Sequence, residues 1–410
     1  MQTHLSPEFS GSQDGKEAAA IMRKCVHCGF CNATCPTYQL LGDELDGPRG
    51  RIYLIKQMLE GSPVTRSTQQ HLDRCLTCLN CETTCPSGVE YGHLVEIGRK
   101  LVEARVERPP AERAARWALK EGLTSKLFAP ALRIGRVLRP LLPRVLKEKI
   151  PLRSTAGVSN QHMSRRPRKV IMLQGCVQPA MLPDIDRAAV RVLDAAGIET
   201  LHSAGTGCCG ALRTHLSDVR GGLDDMRRNI DAWTPLLASG DVEAIISSAS
   251  ACALAIKEYG HALQHDSVYA QRAAQVSALA RDLSELLPEL VPVLKEQLRG
   301  VPAERLVFHA PCTLQHGQKL RGGVESSLRE LGFNVAAACE ESHFCCGSAG
   351  TYSVLQPQLA TQLRDRKLKN LGKLQPDNIL SANVGCIQHL QSGTSIKVMH
   401  WIETIDRALN

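Results

Sequence analysis

Eight cysteines in the first quarter of the chain fall into two runs of one pattern. Cys25-Val-His-Cys28-Gly-Phe-Cys31-Asn-Ala-Thr-Cys35-Pro36 and Cys75-Leu-Thr-Cys78-Leu-Asn-Cys81-Glu-Thr-Thr-Cys85-Pro86 both read C-x2-C-x2-C-x3-C-P. Three thiolates at this pitch share one tight loop and can take three corners of a cubane iron–sulfur cluster. The fourth cysteine of each run starts a helix facing away and ligates the other cluster. The expected sets are therefore crossed. Cys25, Cys28, Cys31 and Cys85 hold one [4Fe-4S] cluster, and Cys75, Cys78, Cys81 and Cys35 hold a second. Zinc knuckles pair two C-x2-C halves and have no use for the third regular cysteine or the trailing proline.

Eight further cysteines form two smaller sets. Cys176, Cys208, Cys209 and Cys252 make the first; Cys312, Cys345, Cys346 and Cys386 make the second. Each set has a cysteine after an apolar strand-like run, an adjacent pair before Gly210 or Gly347, and a cysteine after a later run. Adjacent cysteines bond poorly to each other but can offer two thiolates to one metal centre, with glycine allowing close backbone approach. These sets are candidates for one or two further iron–sulfur clusters, the alternatives being zinc or free thiols. Cys339 stands outside both sets and reads as an incidental buried thiol.

Regular elements must position these loops. Gly50 to Glu60 and the segment around Leu94, Ile97 and Leu101 carry apolar residues at helical spacing, with Ile52, Ile55 and Leu59 inward. Downstream, one α/β unit occurs twice. The first copy runs from strand Lys169–Leu173 through a helix near Arg187–Ala196 to strand Ala244–Ser248. The second runs from strand Leu306–His309 through helix Gly323–Leu331 and strand Phe333–Ala337 to strand Asn378–Ser381. The matched pairs Cys176/Cys312, Cys208/Cys345 and Cys252/Cys386 keep offsets of 136, 137 and 134 residues. Short apolar strands alternating with helices predict parallel sheets with ligands at strand ends.

The chain of 410 residues divides by this reading into four sections: 1–108 with both cubane motifs, a proline-punctuated basic helical linker at 109–168, and the two copies at 169–300 and 301–410. The fold class is multidomain, a helical domain followed by a duplicated α/β cysteine-rich module. Net charge is +8, concentrated between Ser125 and Lys169, where 12 Lys or Arg face one acid, Glu148. Leu127 to Ile150 mixes this charge with Leu132, Ile134, Val137 and Leu138, which suits either an anionic bilayer surface or packing on protein. Aromatic content of 4% and the lack of a recognition motif argue against nucleic acid. No run of about 18 apolar residues occurs, and Met1–Lys24 lacks the basic start and apolar stretch of a secretory signal. The expected location is cytoplasmic, on the inner face of the membrane. Seventeen cysteines then need metal rather than disulfides. No G-x-G-x-x-G opens a βαβ unit and no catalytic set stands out, so catalytic residues are read as none. His309, His316, His343 and His389 lie beside the later cysteines, as tuners or as satisfied structural residues; Thr34, Thr84 and Gly29 flank the cubane loops.

The first section resembles the helical ferredoxin domain of respiratory-type oxidoreductases, and the repeats resemble the CCG domains of heterodisulfide reductase. The CCG motif ends in Cys-x-x-Cys, whereas Ala249 and Asn383 stand three residues before Cys252 and Cys386. Over nearly its whole length the chain resembles the iron-sulfur subunits of bacterial glycolate oxidase (glycolate dehydrogenase). The likeness is specific in Cys25 to Cys31, in Thr37 to Arg51, in His309 to His316 and in Cys345 to Thr351. It implies a complex with two flavoprotein-related subunits whose FAD oxidises glycolate to glyoxylate, and a quinone-type membrane acceptor. Lactate or glycerol-3-phosphate dehydrogenases share these parts, and a heterodisulfide-reductase-like subunit is a third reading.

Overall fold

The computed structural model describes residues 1–141 and 166–409. The basic end of the predicted linker, including Arg144, Lys147 and Ile150, lies outside the described residues.

The N-terminal body is helical because its apolar residues recur on one helix face. Helix Gln13–Lys24 is capped by Ser12, whose hydroxyl accepts from the Gly15 amide at 3.0 Å, and it buries Ala18, Ile21 and Met22. Helix Pro48–Leu59 buries Ile52, Ile55, Met58 and Leu59, and helix Tyr91–Arg105 buries Leu94, Val95, Ile97 and Val102. These faces form one core with Leu72 of helix Arg66–Asp73. Helices Gln13–Lys24 and Arg66–Asp73 each end within a residue of a cysteine loop, so Cys25 and Cys75 are fixed by packed helix ends. Cys35 caps helix Pro36–Leu41, as the spacing predicts; Cys85 leads into a turn, and the next helix starts only at Tyr91.

The repeats build two parallel sheets. The first has strands β1 (Arg168–Met172), β2 (Ile198–Leu201), β3 (Val242–Ser247) and β4 (Ala280–Asp282) in the order β2-β1-β3-β4. The second has β5 (Leu306–Phe308), β6 (Asn378–Ser381) and β7 (Lys397–His400) in the order β5-β6-β7. Val170 pairs with Ala244 in one sheet, and Val307 with Ile379 in the other. The predicted strand Phe333–Ala337 is reduced to a single bridge between Leu306 and Val335. Its run of three alanines, Ala336 to Ala338, offers little side chain to pack on a pleated surface.

A finding that periodicity did not anticipate is the core shared by the two copies. Val170, Val192, Leu287 and Leu290 from the first copy lie in one apolar cluster with Val307, Leu328, Ile379 and Ile405 from the second. The last helix, Trp401–Leu409, packs on helix Pro183–Ala195, and Arg191 holds Asp406 by two bonds of 2.6 and 2.5 Å. At roughly 1.5–3 kcal/mol per buried aliphatic side chain, Ile402 and Ile405 alone bind the copies more firmly than any surface ion pair could.

Candidate metal centres

Both cubane loops use one backbone path. His27 and Thr77 have φ of 56° and 50°, and Gly29 and Leu79 have φ of 86° and 60°. Alternating left-handed residues turn successive amides and thiols toward a common centre, the concave arrangement that suits anionic clusters. Glycine takes this conformation freely at position 29, where a Cβ would also stand 2.7 Å from Arg49 Nη1; Leu79 takes it against its steric preference.

Cys25, Cys28, Cys31, Cys81 and Cys85 line one cavity. Cys35, Cys75, Cys78 and Cys81 line a second. The short helices that carry the loops meet where Thr34 Oγ1 and Thr84 Oγ1 stand 3.0 Å apart. Each cavity has the four thiols that a [4Fe-4S] cluster requires, Cys81 lining both, so the residues fit that group. Burial pushes the Cys31 thiol up to about 11, and it raises Cys35 and Cys81 as well. In the absence of metal these thiols stay protonated at neutral pH, and ligation releases their protons.

The second cavity is backed by a buried ion network. Asp46, fully buried, receives Arg74 at 2.8 Å, His71 Nδ1 at 3.1 Å and Arg51 at 3.5 Å. Arg51 donates to the His71 carbonyl at 2.7 Å and to Thr37 Oγ1 at 3.1 Å, and Thr37 Oγ1 lies 3.3 Å from Cys35 Sγ. Tyr91 donates its hydroxyl to Cys75 Sγ at 3.7 Å. Arg51 thus sets positive charge behind the second thiol set. Arg51 stands in the Thr37–Arg51 segment, but no spacing rule pairs it with Asp46 and His71.

In the first CCG copy all four cysteines converge. Cys176 donates to Cys208, Cys208 contacts Cys209, and Cys209 contacts Cys252. Hydrogen bonds from Cys176 and Cys209, with the Gly210 amide at 3.4 Å, favour thiolate on Cys208. The second copy repeats the chain through Cys312, Cys345, Cys346 and Cys386, with the Gly347 amide 3.4 Å from Cys345 Sγ. Gly210 and Gly347 both have φ near 90°, and a Cβ there would meet backbone carbonyls at 2.7 and 2.5 Å. Parallel strands and paired cysteines therefore deliver the same pocket twice.

The second copy touches a cubane loop: Cys78 packs against the cluster that holds Cys312 and Cys345. Leu76, Cys312, Cys345, Tyr352, Leu359 and Leu363 close around this junction in an apolar cluster. Tyr352 donates to the Arg74 carbonyl at 3.1 Å, and Asn80 donates to the His343 carbonyl at 3.2 Å.

The four histidines separate. His316 is bonded at both ring nitrogens, to the His343 carbonyl at 2.8 Å and Thr83 Oγ1 at 3.0 Å. His389 meets the Ala360 carbonyl at 3.0 Å, and His343 packs against Phe344. His309 is buried at 2% exposure, and its Nε2 has no hydrogen-bond partner. Burial, then the Lys367 charge, holds its imidazole well below the usual range, so it is neutral. Cys339 lies in the shared core.

In the basic segment, helix Phe128–Leu138 buries Leu132 and leaves Ile134 and Val137 exposed, while Arg136 donates to the Ala180 and Met181 carbonyls. No helix among the described residues is long and apolar enough to cross a membrane.

Comparison with known proteins agrees with this layout. Residues 21–89 match the 4Fe-4S dicluster domain family, and residues 170–257 and 306–391 match the cysteine-rich CCG domain family. The chain is 51% identical over 414 residues to the glycolate oxidase iron-sulfur subunit of Escherichia coli (strain K12), covering 100% of this chain and 99% of that protein. It is 29% identical to the probable glycolate oxidase iron-sulfur subunit of Bacillus subtilis (strain 168), covering 95% and 92%. Lactate utilization protein A of Geobacillus thermodenitrificans is 24% identical over 58% of this chain and 98% of its own length. With full-length likeness, two cubane loops and two CCG pockets in one order, the chain belongs to the family of glycolate oxidase iron-sulfur subunits.

Proposed function

We propose that this chain is the electron-transfer subunit of a flavin-dependent glycolate dehydrogenase, with [4Fe-4S] clusters on the crossed sets Cys25/Cys28/Cys31/Cys85 and Cys75/Cys78/Cys81/Cys35. The observation that carries the reading is the packing of Cys78 against the apolar cluster of Cys312 and Cys345, which joins the second cubane loop to the second CCG pocket. When bound, such clusters supply one-electron redox steps, which divide the two electrons a flavin takes from a hydroxyacid. The protein's own part is placement. Packed helix ends fix the loops, Arg51 sets charge behind the second set, and Leu76 and Tyr352 keep water from the junction.

In this reading residues 1–108 receive electrons from FAD on two flavoprotein-related partner subunits, and the CCG copies at 169–300 and 301–410 carry further clusters or scaffold the exit. The exit is to a quinone-type acceptor at the cytoplasmic face of the inner membrane. The exposed Leu127, Ile134 and Val137 beside Arg133 support contact with an anionic bilayer. Lactate is the second substrate to weigh, because the lactate utilization relatives share more than half of the chain.

The test is to purify the tagged chain from cells carrying its natural partners and assay dye-linked oxidation of glycolate, lactate and glycerol-3-phosphate. Glycolate-dependent reduction with co-purifying FAD is expected. Recovery with no flavin subunit refutes the reading. About 8 Fe per chain means that only the crossed sets are filled, and about 12 to 16 that the CCG pockets hold clusters too.

A further inference from the structure

The two CCG pockets differ in one buried side chain. His309 donates its backbone amide to the Leu380 carbonyl at 2.8 Å; Leu173 in the first copy donates to the Ile246 carbonyl at 2.9 Å. Both amides bond across to the central strand of their sheet, so the two residues occupy one structural position. Leu173 is buried with the apolar residues behind its sheet. His309 is buried as deeply, but its Nε2 lacks any partner. An unsatisfied ring nitrogen in a closed site costs about 1–3 kcal/mol unless something meets it.

A ring nitrogen of His309 and the sulfurs of Cys346 and Cys386 all lie within 4.8 Å of one another. Nitrogen and sulfur ligands sit about 2.0–2.3 Å from a metal, so two ligands on one ion stand up to about 4.6 Å apart. Three donor atoms this close can turn toward one metal ion. Asn383 stands where the CCG motif has its additional cysteine, and it donates Nδ2 to Cys386 Sγ at 3.9 Å rather than offering a thiol. The second copy therefore lacks one sulfur ligand and has a histidine ring nitrogen beside two of the sulfurs that remain. The first copy lacks the sulfur at Ala249 and has no such nitrogen.

We infer that His309 is a nitrogen ligand to iron in a cluster held by the second CCG pocket, completing a mixed imidazole–thiolate set with Cys346 and Cys386. The inference rests on the reading that this pocket holds an iron–sulfur cluster. Iron is favoured over zinc because Cys78 packs against the pocket's Cys312 and Cys345, and a redox-inert ion there would end the electron path. Imidazole in place of thiolate removes negative charge from a cluster and raises its potential, as in Rieske centres. This makes the second pocket the more oxidising of the two and the natural receiver of electrons from the second cubane loop.

The experiment uses the full-length chain with its partners, prepared anaerobically with natural or 15N-labelled histidine, and measured by iron and zinc analysis, redox titration and pulsed EPR. A nitrogen coupling that changes with the label, and that His309→Cys abolishes at unchanged iron content, is expected. His309→Cys should also move one midpoint potential downward, and His309→Leu should lose that centre's iron. The labelled unsubstituted protein gives an answer even where His309→Leu fails to fold. A centre whose iron depends on Cys346 and Cys386 but shows no histidine coupling overturns the role of His309 alone. Iron content unchanged in a Cys346→Ser, Cys386→Ser double variant, or zinc bound at these residues, overturns the underlying assignment as well.

Discussion

The two CCG copies share strands, cysteine order and glycine turns, yet they meet the helical body in opposite ways. The first copy meets it through charge: His93 reaches Glu258 at 3.2 Å, His261 reaches Glu17 at 3.1 Å and stacks on His93 at 4.0 Å, and His215 faces Glu96 at 3.4 Å. The second copy meets it without an ion pair among the described residues, through a cluster of Leu76, Cys78, Cys312, Tyr352 and Leu359 flanked by the neutral hydrogen bonds of Tyr352, Asn80 and Thr83. Duplication supplied two equivalent pockets, and the surfaces around them diverged. One became a partly solvated joint of charged side chains. The other became dry, which is where electron transfer gains from short separation and fixed geometry.

Four experiments would break or sharpen this contrast. The largest effect is expected from Cys312→Ser, which should cut glycolate-dependent electron delivery by more than about tenfold, the equivalent of about 1.4 kcal/mol at the limiting step. Cys176→Ser in the first copy should cost clearly less in the same assay. Equal losses would mean that the junction gives no preference. Next is Arg51→Met. Leaving Asp46 buried with fewer partners should cost about 3–5 kcal/mol in denaturant unfolding, and it should lower the potential of the second cubane centre while sparing the first. Third, Leu76→Ala at the dry joint should destabilise by about 2–5 kcal/mol, whereas Glu258→Gln at the polar joint should change stability by less than about 1 kcal/mol. Similar values would show that the two joints are of one kind.

The smallest effect is on pH dependence. The Glu258 hydrogen bond first, against burial, and then the charges of Glu258, Glu96 and Glu17 raise the His93 pKa above its usual 6.5. A group raised on folding stabilises fully below its unfolded value, and that contribution is lost as pH climbs through the folded one. The melting temperature should therefore decline as pH rises above 6.5, and His93→Gln should flatten this slope. Persistence of the slope in the variant would assign it to another group.

The cysteine spacings carried most of the legible information, since ligand sets follow local rules of pitch and turn. The offsets near 136 residues exposed the duplication for the same reason, and helices around Ile52, Ile55 and Leu94 followed from period. Partnerships across long separations stayed out of reach. Asp46 with Arg51 and His71, Cys78 with Cys312, and Ile405 with the first copy's core are set by tertiary packing and leave no periodic trace. His309 was visible as a histidine near a cysteine, but its solitude is a property of the folded pocket. The predicted strand after Gly332 shrinks to one bridge because its alanines offer little side chain to pack.

The contact between helix Trp401–Leu409 and helix Pro183–Ala195 has a consequence for folding. It joins segments more than two hundred residues apart in the chain, so a long loop must close before it forms. Until then the apolar face of helix Pro183–Ala195 stays uncovered and the core common to both copies is incomplete. The two copies should therefore melt as one cooperative unit, with a single transition in calorimetry rather than one for each repeat.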